Sequence, residues 1–305
     1  MGQKLARALL SLDSIESIVL ADVSPLAPGF APERVQGVQF ELADAAAVES
    51  LVKGKDMIFH LAAVVSGQAE ANFDLGMRVN VDGTRNLLEA ARREGRRPVV
   101  VFTSSLAVFG PPLPQVITDE TAVHPRSSYG TQKAIGELLV SDFSRKGYID
   151  GRVVRLPTVC VRPGAPNAAA SSFVSGIIRE PLNGQTAVCP VDPGLELWLS
   201  SPSSAVANLV RAALLPETSL GEQRVINVPG ITVSVAQMCD ALRRIGGAPA
   251  LERIVFRDDP AIRRIVASWP SRFDVARAVR LGFARDGSFD DLVLGYIADA
   301  GLQAR

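Results

Sequence analysis

Cysteine is scarce. Cys160, Cys189 and Cys239 are odd in number and far apart in a chain of 305 residues, so they offer no disulfide framework. Histidine is scarcer, and His60 and His124 cannot supply the clustered ligands that a zinc site needs; no metal is expected. Neither sign of charge is in excess. The 32 lysines and arginines balance 32 aspartates and glutamates, which leaves no basic footprint for nucleic acid. Long hydrophobic runs are missing too, because charge, proline or glycine interrupts every apolar stretch before the roughly 18 residues needed to span a bilayer, so no membrane insertion is expected. The first residues match no address tag: Asp13 and Glu16 break what would be the apolar part of a secretory signal, and MGQKLA carries Ala6 where N-myristoylation wants serine or threonine. A cytoplasmic protein is therefore expected.

Apolar residues make up 47% of the chain, and they come in short pieces. Leu5, Ala8, Leu9 and Leu12 recur at helical spacing, and SIVLAD (17–22) is a buried-strand pattern closed by an acid. A helix entered through Gly2 and followed about 20 residues later by a strand ending in Asp22 is the second half of a dinucleotide-binding fingerprint. Further along, VQFELAD (38–44), DMIFHLAA (56–63), PVVVFTSS (98–105), GRVVRLPTV (151–159) and RVINVPG (224–230) each read as a buried parallel strand. Helical patterns at about 67–94 and about 126–147 lie between them. This alternation predicts a doubly wound α/β fold with ligands at the carboxyl ends of the strands. After Val159 the pattern breaks into VRPGAPNAAASSFVSGIIREPLNGQ, and from Ile231 onward it is mostly amphipathic helix. The expected division places 1–160 and 203–230 in the nucleotide-binding part, and 161–202 with 231–305 in a smaller, mostly helical substrate-binding lid.

The chemistry is carried by YGTQK. Tyr129 and Lys133 are one helical turn apart and share a face, and Ser105 stands at the end of the predicted strand in TSSLAVFG. A phenol with its usual pKa near 10 is a poor base at neutral pH, and a neighbouring ammonium is expected to favour its ionised form. Tyrosinate can then take the proton of a substrate alcohol as hydride leaves the carbinol carbon for a nicotinamide, while a serine hydroxyl holds the substrate oxygen.

Taken together, Gly2, LAD at 20–22 and 42–44, HLAA at 60–63, NVDGTRNLLEA at 80–90, SSLAVFG, YGTQK and RLPTVCVRPG resemble the extended short-chain dehydrogenases/reductases. That superfamily contains the nucleotide-sugar epimerases and dehydratases. Within it the stretch from RLPTVCVRPG to LNGQ is most similar to the D-erythronate dehydrogenase group, which oxidises the C2 hydroxyl of a four-carbon sugar acid to a ketone. The resemblance implies a Rossmann fold, catalysis by Ser105, Tyr129 and Lys133, and NAD as cofactor. Asp22 would accept hydrogen bonds from the adenosine ribose diol and repel the 2′-phosphate of NADP. Leu42 and Asp44 would flank the adenine, and Leu61, Ala62 and Ala63 would let the cofactor approach the sheet. Asn80 would brace backbone beside the cofactor. Thr158 and Val159 would meet the nicotinamide, and Tyr129 and Lys133 would also contact the cofactor.

A sugar-acid substrate brings a carboxylate, which a guanidinium matches bidentately. Arg179 is the expected partner, with Ser105, Asn167, Ser171 and Ser172 meeting hydroxyls. His60, inside an apolar strand, is expected to be a satisfied core histidine. Phe109 replaces the tyrosine that many relatives carry. The resemblance also implies a homodimer formed through the helix of the YxxxK motif and its neighbour. Two other readings compete: a nucleotide-sugar epimerase or dehydratase that keeps NAD tightly bound, and an NAD(P)-sensing protein without catalysis.

One part of the pattern is short. The full fingerprint runs a strand into G-x-x-G-x-x-G, and here only Gly2 stands for its glycines. The expectation is a longer form with about 12 to 15 residues ahead of Gly2. Without them the chain is expected to bind NAD poorly, to be marginally stable, and to leave the strands SIVLAD and DMIFHLAA facing a gap.

Overall fold

The short apolar runs become parallel strands because their residues are buried on both faces. The computed structural model describes residues 1–26 and 29–302. Its main sheet runs in the order β3 (Met57–His60), β4 (Val99–Ser105), β5 (Asp150–Leu156), β9 (Val225–Asn227), with all neighbours parallel. Successive side chains of β4 and β5 point to opposite sides. Val101 and Val154 join one core, with Leu5, Leu9, Leu209 and Ile226. Val100, Phe102 and Val153 join another, with Leu42, Val48, Leu87 and Leu88. Burying Phe102 alone, at 1% exposure, contributes about 1.5 to 3 kcal/mol.

β1 (Ile18–Asp22) and β2 (Val35–Gln39) form a separate parallel pair. No strand among the described residues bridges β1 to β3, so this pair stands apart from the main sheet. The strand expected over 38–44 lies earlier, because the Asp44 carboxylate accepts the N–H groups of Ala46 and Ala47 and thereby starts a helix.

Eight helices of eight or more residues occur among the described residues: α1 (Gly2–Leu10), α2 (Ala45–Val52), α3 (Gly83–Glu94), α4 (Ser128–Arg145), α5 (Ser172–Leu182), α6 (Pro202–Leu214), α7 (Val235–Gly246) and α8 (Phe289–Ala300). None is long and apolar enough to cross a membrane. Ahead of α3, Met77–Asp82 is wound as a wider π-type turn.

Beyond Val159 there is more strand than the composition suggests. β6 (Thr158–Val159) pairs with β8 (Glu196–Ser200), which pairs antiparallel with β10 (Ile231–Ser234), and β7 (Ala187–Cys189) pairs with β11 (Ile254–Phe256). These strands are too short for a period of two to stand out. They pack with α5, α7 and α8 around a third core containing Ile177, Leu199, Met238 and Val293. Ala278 and Phe283, from the last part of the chain, pack instead in the core with Leu5 and Val101.

Candidate active site

Ser105 ends β4, and its hydroxyl accepts the Ala107 N–H at 3.1 Å to start a single tight turn. Helix α4 opens on Ser127, which accepts the Gly130 N–H, so Tyr129 and Lys133 fall in its first two turns. Two glycines bring this helix down onto β4. A Cβ at Gly130 would lie 2.1 Å from the Ala107 carbonyl oxygen, and one at Gly136 would lie 2.5 Å from Phe102 Cζ. The approach sets the Tyr129 phenol beside the Ser105 side chain, whose influence favours the ionised form. The three residues expected to carry the chemistry are therefore together.

The electrostatics differ from expectation in one respect. Burial pushes the Tyr129 phenol up to about 12, and the opposing influences are the Ser105 hydrogen bond and the charge of Arg162. Lys133, expected to act on the phenol, is 3% exposed and holds its Nζ 4.7 Å from the Phe102 ring centroid and 5.7 Å from that of Tyr129. Its own proton affinity falls to about 8 through burial, opposed by Glu137 one turn further along. Glu137 in turn takes a two-pronged contact from Arg155, Nε to Oε1 at 2.9 Å and Nη2 to Oε2 at 2.7 Å, and the Ser104 hydroxyl donates to it as well. The chain of contacts from Arg155 through Glu137 to Lys133 joins residues distant in sequence and was not visible in any motif.

His60 is a satisfied core residue. Its Nε2–H donates to Thr84 Oγ1 at 2.8 Å, because the Thr84 hydroxyl already donates to the Asn80 carbonyl. Burial, and secondarily the charge of Lys133, lowers His60 to about 3. A folded value below the unfolded one means that the unfolded chain binds the extra proton. Stability is thus fully present above about pH 6.5 and is lost as pH falls toward 3. Urea unfolding between pH 6.5 and 4 should show the parent losing about 1.4 kcal/mol per pH unit more than a His60→Gln variant; parallel curves would exclude the assignment.

The residues expected at the cofactor lie around the carboxyl ends of the strands. Gly2 opens α1, whose first N–H groups have no side-chain cap, and a Cβ there would be 3.9 Å from Leu61 Cδ1. That open helix entrance suits a pyrophosphate. Asp22 ends β1, exposed, with its carboxylate accepting the Ser24 N–H at 3.0 Å. Thr158 and Val159 form β6, and Leu61, Ala62 and Ala63 follow β3. The arrangement fits NAD. Leu42 packs in the core under Gly83, Asp44 caps α2, and Asn80 makes paired bonds to the Val64 backbone, so these three support the region through its framework. On the expectation that Asp22 meets the adenosine ribose, its replacement by alanine should lower the NAD-over-NADP ratio of kcat/KM by roughly ten-fold or more, because a like-charge repulsion would be lost. An unchanged ratio would remove Asp22 from the ribose site.

On the substrate side, Ser172 Oγ accepts the Asn167 N–H at 3.1 Å, and Asn167 Oδ1 accepts the Ala169 N–H, which folds the segment ahead of α5. Ser171 caps α5 by position without a side-chain bond. Arg179 is engaged within the protein: Nη2 donates to Glu180 Oε1 at 2.6 Å and Nη1 to the Arg162 carbonyl at 2.8 Å. Arg162 itself lies in the RPG that follows β6.

The parallel sheet, the helix entrance at Gly2 and the Ser105, Tyr129 and Lys133 group define a Rossmann-fold protein of the extended short-chain dehydrogenase/reductase class. The profile of the NAD dependent epimerase/dehydratase family matches residues 1–198, and the chain belongs to that family. It is 51% identical to a D-erythronate dehydrogenase from Cupriavidus necator over 99% of this chain and 96% of the relative. It is 48% identical to a D-erythronate dehydrogenase from Haemophilus influenzae over 97% and 95%. The crystal structure of a protein described as a nucleoside-diphosphate-sugar epimerase from Agrobacterium tumefaciens superposes with a TM-score of 0.92 at 44% identity, covering 99% of this chain and 92% of that one. The chain is an NAD-dependent dehydrogenase using a nicotinamide cofactor.

Proposed function

We propose that the chain oxidises the C2 hydroxyl of D-erythronate, or of a closely related small sugar acid, to the ketone with NAD as acceptor. The observation that carries this reading is the near full-length identity to two D-erythronate dehydrogenases. The Ser105, Tyr129 and Lys133 group supplies the chemistry. Tyr129 takes the hydroxyl proton, and the C2–H electron pair leaves as hydride while C=O forms. NAD, when bound, would supply the hydride acceptor and a positive charge that favours tyrosinate. The Ser105 hydroxyl holds the substrate oxygen, and Lys133 holds the nicotinamide ribose and keeps a cation beside the phenol. Asp22 selects the cofactor, and Gly2, Leu61, Ala62, Ala63, Thr158 and Val159 line its path.

In the same reading, residues 1–160 with 203–230 carry the cofactor, and 161–202 with 231–305 close over the substrate. The protein works in the cytoplasm as a homodimer paired through α4 and α3, which fits a Leu138 that is 69% exposed on α4. The name of the Agrobacterium structure favours one alternative, an epimerase that returns the hydride to its substrate. Purified protein mixed with NAD and D-erythronate distinguishes them by absorbance at the NADH band. Continuous NADH formation proportional to enzyme is expected, whereas a single-turnover burst, or none, with NAD retained through gel filtration would favour the epimerase.

A further inference from the structure

Arg162 presents a charged side chain with no counterpart. Its Nε is buried without a hydrogen-bond partner, and its guanidinium makes no ion pair or side-chain hydrogen bond among the described residues. The backbone of the same residue is firmly held. Its N–H donates to Ser175 Oγ at 3.0 Å, and its carbonyl accepts Nη1 of Arg179 at 2.8 Å. Arg179 is neutralised by Glu180 and so has no charge to spare for a ligand. The neighbouring polar groups therefore fix where Arg162 sits and leave its guanidinium unused.

A guanidinium cannot shed its proton to escape such a setting, and an unmet buried donor is costly. Burial works against the charge of Arg162, and that charge is felt at the Tyr129 phenol and at the Met1 amino group. Its backbone lies three residues beyond β6, on the stretch that runs from Thr158 and Val159 toward α5.

We infer that Arg162, and not Arg179, binds the substrate's carboxylate, with Arg179 and Ser175 as the residues that position it. The inference rests on the sugar-acid reading above. A planar fork of donors meets a carboxylate with two parallel hydrogen bonds, which would orient the acid about one end and bring its C2 hydroxyl to Tyr129. The RPG turn would then decide acid over neutral sugar. The competing anion is the pyrophosphate of NAD, and the test separates the two.

D-erythronate and its uncharged amide, D-erythronamide, are compared in the parent, Arg162→Met, Arg162→Lys and Arg179→Gln. Calorimetric binding of each compound to the NADH-loaded protein is measured beside steady-state kinetics and NAD affinity. In the parent the acid should be preferred over the amide. Arg162→Met should lower kcat/KM for the acid ten- to a hundred-fold or more, leave the amide within about two-fold, and leave NAD affinity unchanged, so that the preference collapses. Arg162→Lys should restore part of it. Arg179→Gln should weaken both compounds together and keep their ratio, as a positioning residue would.

Equal loss on acid and amide, undiminished acid turnover in Arg162→Met, or a loss of NAD affinity would overturn the assignment, the last in favour of the pyrophosphate. Oxidation of D-erythronate by the parent with no Arg162 effect would sink this inference and leave the proposed function standing. Arg162-dependent binding of the acid without oxidation would do the reverse. A parent that neither binds nor oxidises the acid would overturn both.

Discussion

Tyr129→Phe should cut turnover at least a hundred-fold, to no more than about one per cent of the parent rate, while NAD affinity stays within about two-fold. General-base catalysis contributes about 10² to 10⁴ in rate, and phenylalanine removes the ionisable oxygen while keeping the ring that packs beside Lys133. Stopped-flow or steady-state NADH formation measures the first quantity and fluorescence quenching by NAD the second. On the proposed function, Lys133→Met should lose both, because the ammonium would serve the phenol and the nicotinamide ribose together. A Tyr129→Phe protein that still worked at more than a few per cent of the parent rate would move the proton transfer to another group. The free chain holds this phenol at about 12, so catalysis depends on charges that arrive or face it at the site.

The second large effect is on stability. Glu137→Gln should cost about 3 to 5 kcal/mol, because it leaves the Arg155 guanidinium buried opposite a neutral amide. For a chain of this size the thermal midpoint should drop on the order of 10 °C. Replacing both partners, as Glu137→Gln with Arg155→Met, should recover much of the loss, since no unpaired charge then remains. A single variant within 1 kcal/mol of the parent in urea denaturation would show that the pair is solvated. The same substitution has a catalytic signature. Glu137 raises the proton affinity of Lys133 against the pull of burial, so its loss should shift the alkaline fall in activity to lower pH. A purely structural role for Glu137 would leave that profile unmoved.

Much of the fold follows from local pattern. The run at Val99–Ser105 is apolar on both faces, and only a sheet covered on both sides accommodates that. Helix α4 was legible through its serine start and apolar period, and the YGTQK spacing placed Tyr129 and Lys133 on one face without further information. The strand at 35–39 lies a few residues earlier than its pattern suggests, because the apolar residues of 38–42 continue the strand pattern while the capping bonds of Asp44 start a helix. The sheet of β6, β8 and β10 was hidden for a different reason: pieces of two to five residues acquire their structure from each other and carry little signal alone.

What the sequence by itself determined is the set of elements and the identity of the reacting groups, because period, turn chemistry and the Tyr–Lys spacing act within a few residues of one another. Only the tertiary structure decided which charges face one another. Arg155 reaches Glu137 across a strand-to-helix contact, while Arg179 is turned from the expected ligand to Glu180 and to the backbone of Arg162. Both arginines look alike in sequence as cations near apolar residues. Desolvation makes each buried guanidinium take whatever acceptor packing brings within 3 Å, and that acceptor is set by how helices settle on the sheet, down to Gly130 against Ala107 and Gly136 against Phe102. Among the described residues, Arg162 keeps a buried Nε that packing leaves without an acceptor.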